Sequence, residues 1–583
     1  MVVIDRYHFN FSRHELAKRI FTAGLAMYLL FFLHVPWNNS GGWGSDLPYN
    51  LLGWGYIFIL SAAFWLLSSV KRLQIGATGI LLISGACLMT LPLLWSPSSA
   101  SVYNALPRIG GMWGGVFFWL TLRQCQFNKH QSIWLLYFFA GAGFIEAVIV
   151  LMELYGPVTW LPTVWRQLMM SCGRDAVGVF QQVNVTASFL TMTLGAILYL
   201  LVYPSMILNK KRWIYIQLLL SLAAIVVTAA VTVIYSRTGW LSGICIVICL
   251  NYLFYFSRFK NTGQCKYLLW VLPVCGVGVG LYLMPLSVNQ AMMAHEGSNH
   301  QRLLTLYYVF KYTHLHSLLG YGAGSFEGTY QHYLAALPGG NPGKEMMEHP
   351  HNELLYQYAE GGGIALAGVL LWAGMLGRLW KRSDCRLTYC TLICMLPVLI
   401  HCQFEFPFYY SAPHYFIFLI LLCIADSGKQ EAEPVTDKGA LIHYAIRIGM
   451  LMIAFYGAVV SFQSFRVWAT LDQYERGVLA YPERISNLNV PWVMKLSYDQ
   501  DMTLLRLFRF EHNHDISSLR EFTRENAVWI SVHAWVPLYQ NQIAVLKYLN
   551  DAPGVAVWEE KAKRTFPWEK SFLGFDSHKT VSK

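Results

Sequence analysis

Val185-Thr-Ala-Ser-Phe-Leu-Thr-Met-Thr-Leu-Gly-Ala-Ile-Leu-Tyr-Leu-Leu-Val-Tyr-Pro204 carries no charge and is long enough to cross a bilayer. A helix crosses the hydrocarbon core in about 20 apolar residues, and irregular backbone cannot face lipid, so this stretch predicts a transmembrane helix. Similar stretches lie near residues 19–37, 51–70, 75–95, 107–122, 132–156, 213–235, 238–256, 267–289, 354–377, 388–405, 409–425 and 441–464, about thirteen spans in all. Composition agrees. Of 583 residues, 55% are hydrophobic and 13% charged, and the mean hydropathy is positive. That is too apolar for soluble domains of this size, so the expected class is an all-α polytopic membrane protein.

Cations gather on alternate connections: Arg13, Lys18 and Arg19 before the first span, then Lys71 and Arg72, Arg123 and Lys129, Lys210 to Arg212, Arg258 to Lys266, Arg378 to Arg386, and Lys429 to Lys438. The positive-inside rule makes these cytoplasmic. The opposite set is cation-poor, with only Arg302, Lys311 and Lys344 across 290–350, and faces outward. The net charge of +11 therefore reflects topology and gives no reason to expect a nucleic-acid partner. An odd number of spans puts residues 466–583 outside. The first span lacks a small-residue cleavage site and reads as a retained anchor. Of twelve cysteines only Cys172 falls in an outward loop, which implies no disulfide framework.

These features divide the chain into N-terminal helices over 1–156, a core over 157–465 with long outward loops at 157–184 and 290–350, and a small, mostly helical domain over 466–583. Apolar spacing at Leu504, Leu505 and Phe508 and at Ile543, Leu546 and Leu549 suggests helical-hairpin repeats in the last part. Asp499-Gln-Asp501 resembles the short metal-nucleotide motif of many glycosyltransferases but reads as part of a solvated helix.

Chemistry is expected where Glu345-Met-Met-Glu-His-Pro-His-Asn-Glu-Leu-Leu-Tyr-Gln-Tyr-Ala-Glu-Gly-Gly-Gly363 re-enters the membrane. A histidine near an aqueous membrane face can accept a proton near neutral pH, and it is not filler for an apolar core. Either His349 or His351 could face a cleft, because Pro350 holds the residue before it extended. Arg174, Arg237 and Arg302 are outward cations able to grip phosphate oxygens two at a time, or to snorkel to lipid headgroups. Residues 301–319 are spaced as an amphipathic interfacial helix. Gly320-Tyr-Gly-Ala-Gly-Ser-Phe326 then breaks it, either as a turn or as backbone amides open to a phosphate. Glu146 and Glu153, on one face of the fifth span, read as a structural or binding pair.

The order Gly178-Val-Phe-Gln-Gln-Val-Asn-Val-Thr-Ala187, Ser236-Arg-Thr-Gly239, the glycine-broken loop, and His351-Asn-Glu-Leu-Leu with Glu360-Gly-Gly-Gly resembles the O-antigen ligase and polymerase superfamily. The Gln181-Gln182-x-Asn184 segment and the outward C-terminal domain look most like the bacterial protein O-oligosaccharyltransferases of the PglL type. The resemblance implies glycan transfer at the periplasmic face of the bacterial inner membrane. An oligosaccharide leaves undecaprenyl pyrophosphate and joins a Ser or Thr hydroxyl of an acceptor protein, often type IV pilin, with neither metal nor cofactor. It implies that His351 is the base or hydroxyl-orienting group, that Arg237 and Arg302 clamp pyrophosphate, and that Gln182 and Asn184 shape the acceptor or sugar site. Glu360 would orient its neighbours, although a continuous helix points it away from His351, and Asn352 reads equally as a helix cap. Lipopolysaccharide O-antigen ligase and O-antigen polymerase use the same donor and remain open. A transporter would instead carry paired broken helices with ionisable residues at mid-membrane in both halves.

Overall fold

The computed structural model describes residues 13–70, 73–172, 178–202, 210–256, 265–284, 296–427, 437–479 and 481–573. In chain order its helices are α1 (Arg13–Leu30), α2 (Pro48–Leu67), α3 (Gly76–Thr90), α4 (Ser99–Cys125), α5 (Lys129–Tyr155), the short α6 (Thr163–Cys172), α7 (Val183–Val202), α8 (Lys210–Val233), α9 (Arg237–Asn251) and α10 (Leu268–Leu283). Then come α11 (Glu296–His314), α12 (Phe326–Ala335), α13 (Glu353–Arg382), α14 (Arg386–His401), α15 (Ala412–Ala425), α16 (Asp437–Glu475), α17 (Lys495–Asn513), α18 (Ile516–Val532), α19 (Val536–Tyr548) and α20 (Ala552–Thr565). Every expected span falls on a helix. Among the described residues nine helices are long and apolar enough to cross a membrane, α10, α14 and α15 are shorter apolar helices, and α4 carries Arg108 and Arg123 within its length. The protein is an all-α polytopic membrane protein.

The bundle closes around α7 and α15, which are buried along their lengths, Val185–Val202 and Ala412–Ala425 respectively. With no hydrophobic drive between helices in lipid, close packing of small residues must hold them together. The α7 sequence supplies these: Thr193 lies against Gly143 of α5 so tightly that a Cβ there would come within 2.0 Å of its hydroxyl. Thr191 and Thr193 return their hydroxyls to Ala187 and Leu190 of their own helix, so neither hydroxyl is left bare.

The ends of the helices that meet residues 31–47, 156–172, 178–182, 296–352, 402–411, 476–479 and 481–573 form one face of the bundle, the site face. There α13 breaks at Gly362, whose φ of +55° and ψ of −151° only glycine adopts readily. A Cβ at that position would lie 2.3 Å from the Leu318 carbonyl. The incoming 317–323 segment takes up the backbone groups around the break: Tyr321 N donates to Ala359 O (3.0 Å), Gly322 N to Glu360 O (2.8 Å) and Gly363 N to Ser317 O (2.8 Å).

Glu146 and Glu153 prove structural. Glu146 accepts from Val179 N (2.9 Å) and faces His34 (3.3 Å), while Glu153 accepts from Gly178 N (2.9 Å) and Trp165 Nε1 (2.6 Å). Together they hold the turn that presents Gln181 and Gln182. Helix α11 ends at His314 and is not the amphipathic helix its spacing suggested, because apolar residues lie on both its buried and its exposed sides. Leu303, Tyr307 and Phe310 are exposed, whereas Gln301, Thr305, Val309 and Tyr312 are buried.

Helix α16 runs unbroken to Glu475, and α17 to α20 follow as consecutive packed pairs. These helices dock on α12. Arg564 donates to the Ala335 and Leu337 carbonyls (2.8 and 3.0 Å), and Asn341 donates to the Thr565 carbonyl (3.1 Å).

Candidate functional site

Three connections meet on the site face: the 349–352 entry to α13, the 402–406 turn after α14, and the 178–184 turn before α7. Glu353 N donates to Cys402 O (2.8 Å). Asn352 caps α13 by accepting from Leu355 N (3.0 Å) and reaches Gln403 (3.3 Å), so its helix-cap reading is the observed one.

The two histidines differ. His349 is buried, its ring 4.5 Å from both Tyr356 and Phe406, and its Nδ1 accepts from the backbone N of His351 (3.1 Å). It shapes the loop. His351 is half-buried, holds a left-handed φ of +52° and has no partner at Nδ1. An outlying backbone angle on a bulky residue persists only where its surroundings impose it. Burial lowers the His351 pKa to about 4, with the charges of His349 and Arg302 adding to the effect and Glu405 and the Phe404 backbone opposing it. The imidazole is neutral near pH 7, and its Nδ1 is buried without a hydrogen-bond partner. Arg302, on α11, is close enough for its charge to act on this ring.

Glu405, not singled out in the sequence, joins the pieces. Its carboxylate accepts from Gln182 Nε2 (2.8 Å), Asn184 Nδ2 (2.7 Å) and His401 Nε2 (2.9 Å). Burial pushes its pKa up, yet the hydrogen bonds from His401 and Asn184 outweigh that and bring it down to about 2. The far ends of both amides are also engaged: Gln182 Oε1 accepts from Val185 N (2.7 Å) and Asn184 Oδ1 from Ser236 Oγ (2.7 Å). Ser236 in turn caps α9 through Gly239 N (3.0 Å), so the network reaches the helix that begins with Arg237. Gln182 and Asn184 thus brace Glu405 and the start of α9. Arg174 lies outside the described residues.

Glu360 points away from His351 and forms a buried ion pair with Arg108 of α4, which also lies 4.5 Å from the Tyr356 ring centroid and 5.4 Å from that of Tyr409. Arg108 and Glu353 line a cavity of about 840 Å3, together with Cys402 and Gln403 of the turn after α14. Its walls continue between the helices through Leu370, Trp372, Leu399 and Phe418, and its rim carries Asp472, Gln500 and His533. His351 is not among the lining residues.

Two expectations are corrected here. The amides of Tyr321, Gly322 and Ala323 already donate to Ala359, Glu360 and Pro92 carbonyls, so the glycine segment packs a broken helix and offers no phosphate cradle there. Asp501 is not solvated. It is buried, one oxygen lacks a partner, and burial, with Glu475 and Asp46 nearby, pushes its carboxyl up to about 8. Asp499 pairs with Lys495, and the described residues contain no group of three or more acidic, His or Cys side chains arranged to hold a metal.

The rim is fastened by His533 of the C-terminal helices, whose Nδ1 donates to Glu327 Oε2 (2.6 Å). Burial opposes charge on this imidazole, but Glu327, followed by Glu348 and Asp46, outweighs it and raises the pKa above the ordinary 6.5. A raised folded-state value contributes stability that is complete below about pH 6.5 and is lost as the pH climbs through the higher folded-state value. Protection factors in α17 to α20, corrected for the intrinsic pH dependence of amide exchange, are therefore expected to be largest at mildly acidic pH and to fall above it. In His533→Gln that pH dependence should vanish; if it persists, the contact does not control docking.

Residues 222–370 match the O-antigen ligase family, and residues 390–527 match the C-terminal part of the virulence factor membrane-bound polymerase family. Both matches support assignment to the O-antigen ligase and polymerase superfamily, whose functions are of the ligase, polymerase or oligosaccharyltransferase type. No curated protein matches the chain.

Proposed function

We propose that the protein transfers a preassembled oligosaccharide from undecaprenyl pyrophosphate to Ser or Thr hydroxyls of periplasmic proteins such as type IV pilin, working at the periplasmic face of a bacterial inner membrane. The observation that carries this reading is the unpartnered Nδ1 of a neutral His351, held in a left-handed backbone within the field of Arg302. The acceptor hydroxyl hydrogen-bonds to the His351 imidazole and attacks the anomeric carbon. The bond from that carbon to the pyrophosphate oxygen breaks, its electron pair leaves with the carrier lipid, and the hydroxyl proton passes to His351. Arg302 and Arg237, with Arg174 assigned to the same task by sequence, stabilise the departing pyrophosphate. A dianionic pyrophosphate beside the imidazole would raise its basicity when the donor binds. The C-terminal helices at the rim favour a protein acceptor.

The superfamily matches favour a second reading, ligation to lipid A core or polymerisation of the lipid-linked glycan itself. Reconstituted protein given a lipid-linked oligosaccharide, pilin and lipid A core separates them. Glycan on pilin, read by mass, is the expected result. Glycan on lipid A core, or lengthening of the donor glycan, would replace this reading with the ligase or the polymerase.

A further inference from the structure

We propose that the crevice between α5 and α8 is a binding site for an anionic phospholipid of the surrounding bilayer, with an acyl chain between the helices and the phosphate at the basic residues that open them. Both helices reach the site face with their C-terminal ends, at Tyr155 and Val233, and the crevice lies towards their other ends. It is a cavity of about 420 Å3 walled by residues such as Ile133, Trp134 and Phe144 of α5 and Ile216, Leu219 and Ala223 of α8, and every lining residue is apolar or aromatic. Over residues 133–144 it follows α5 for about 16 Å, a run that suits a fatty-acyl chain and offers little for a polar ligand to bond. The crevice opens outward to lipid, since Trp134 is 40% and Leu219 66% exposed.

Charge at the mouth selects the lipid. Lys129 stands four residues before Ile133 and Arg212 four before Ile216, each one helical turn nearer the membrane surface on the same helix face, and both are exposed. Trp134 donates from Nε1 to His130 Nε2 (3.3 Å) and stacks on Phe138 (6.0 Å), which fixes the indole at the edge of the crevice. Lys210-Lys211-Arg212 opens α8, which contains no acid, and the first acid of α5 is Glu146, bonded to the site-face turn. The one carboxylate at the neighbouring start of α1, Glu15, pairs with Lys18 (3.7 Å). The positive ends of both helix dipoles add to this potential. Basic pockets between transmembrane helices recognise anionic lipid headgroups, and an arginine can hold two phosphate oxygens at once. A zwitterionic lipid would bring an ammonium group to a mouth where neither helix offers a carboxylate. The seated chain fills a gap between two helices that both pack on α7. Their far ends carry Glu146 and Glu153, which hold the 178–181 turn, and lead to Ser236, which bonds Asn184.

The test uses full-length protein in phosphatidylcholine vesicles containing a trace of phosphatidylglycerol with a photoactivatable diazirine in its acyl chain. After irradiation, adducts are mapped by mass spectrometry. They are expected within residues 133–144 and 216–223, displaced by added unlabelled phosphatidylglycerol and much less by the same amount of phosphatidylethanolamine. Lys129→Gln and Arg212→Gln should each lower the displaceable labelling roughly fivefold, with the melting temperature in detergent unchanged because both side chains are exposed. Leu219→Trp, which fills the crevice from an exposed position, should lower labelling while both cations stay in place. Equal displacement by phosphatidylethanolamine would make the crevice an ordinary lipid contact and overturn the proposal. Adducts spread evenly over the bundle, or charge variants labelled like the wild type, would overturn it equally. Labelling needs no turnover, so its outcome is independent of the transferase reading.

Discussion

Replacing His351 with alanine lowers glycan transfer about 100- to 10,000-fold, the range by which a positioned proton acceptor accelerates such steps, while leaving the protein folded and membrane-inserted. The side chain is half-buried and its Nδ1 bonds to nothing, so its removal breaks few contacts. His349→Ala should behave differently. That ring packs between Tyr356 and Phe406 and accepts from the His351 amide, so its loss disturbs the loop and lowers thermal stability along with activity. Because the His351 pKa lies near 4, wild-type transfer should be nearly flat around neutrality and decline only well into the acid range. Rates measured with purified variants, with a detergent melting curve as the folding control, decide this. A His351→Ala enzyme at wild-type rate would remove the residue from the mechanism.

The largest effect on stability is expected at the Arg108–Glu360 pair. Both side chains are mostly withdrawn from water, 12% and 3% exposed, and they join α4 to α13 two turns below the His351 loop. Removing either partner strands a charge in the membrane protein's interior, a loss of about 3–5 kcal/mol in comparable buried pairs. Replacing both by methionine removes the stranded charge along with the pair. The double variant should therefore melt closer to wild type than either Arg108→Ala or Glu360→Ala. Single variants that melt with the wild type would show that the pair contributes little.

Run length made the spans legible: each apolar stretch had to be a helix because lipid offers the backbone no other partner, and the helices lie where those runs are. The site was legible in parts. Gln182, Asn184, His351 and the arginines stood out as polar groups beside the membrane, and three of them reach one turn of the structure. The residue that joins them did not stand out. Glu405 is a single carboxylate in Gln403-Phe-Glu-Phe-Pro407, and its bonds to Gln182 and Asn184 cross 223 and 221 positions of chain. No local spacing encodes such a contact. The available signal was a lone acid in an otherwise apolar connection at a membrane surface, where an ionisable group needs a reason. Arg108 gave the same weak signal inside a span, and its partner Glu360 is 252 positions away. The glycine segment misled for the opposite reason. Glycines suit any close backbone approach, and here the backbone approached is the broken α13.

The 39 residues of α16 form a rod of about 58 Å, against roughly 30 Å of hydrocarbon. Its upper end, at Trp468, Asp472 and Glu475, is part of the cavity wall. Leaning of this rod as lipid chains shorten or lengthen would therefore move one wall of that cavity.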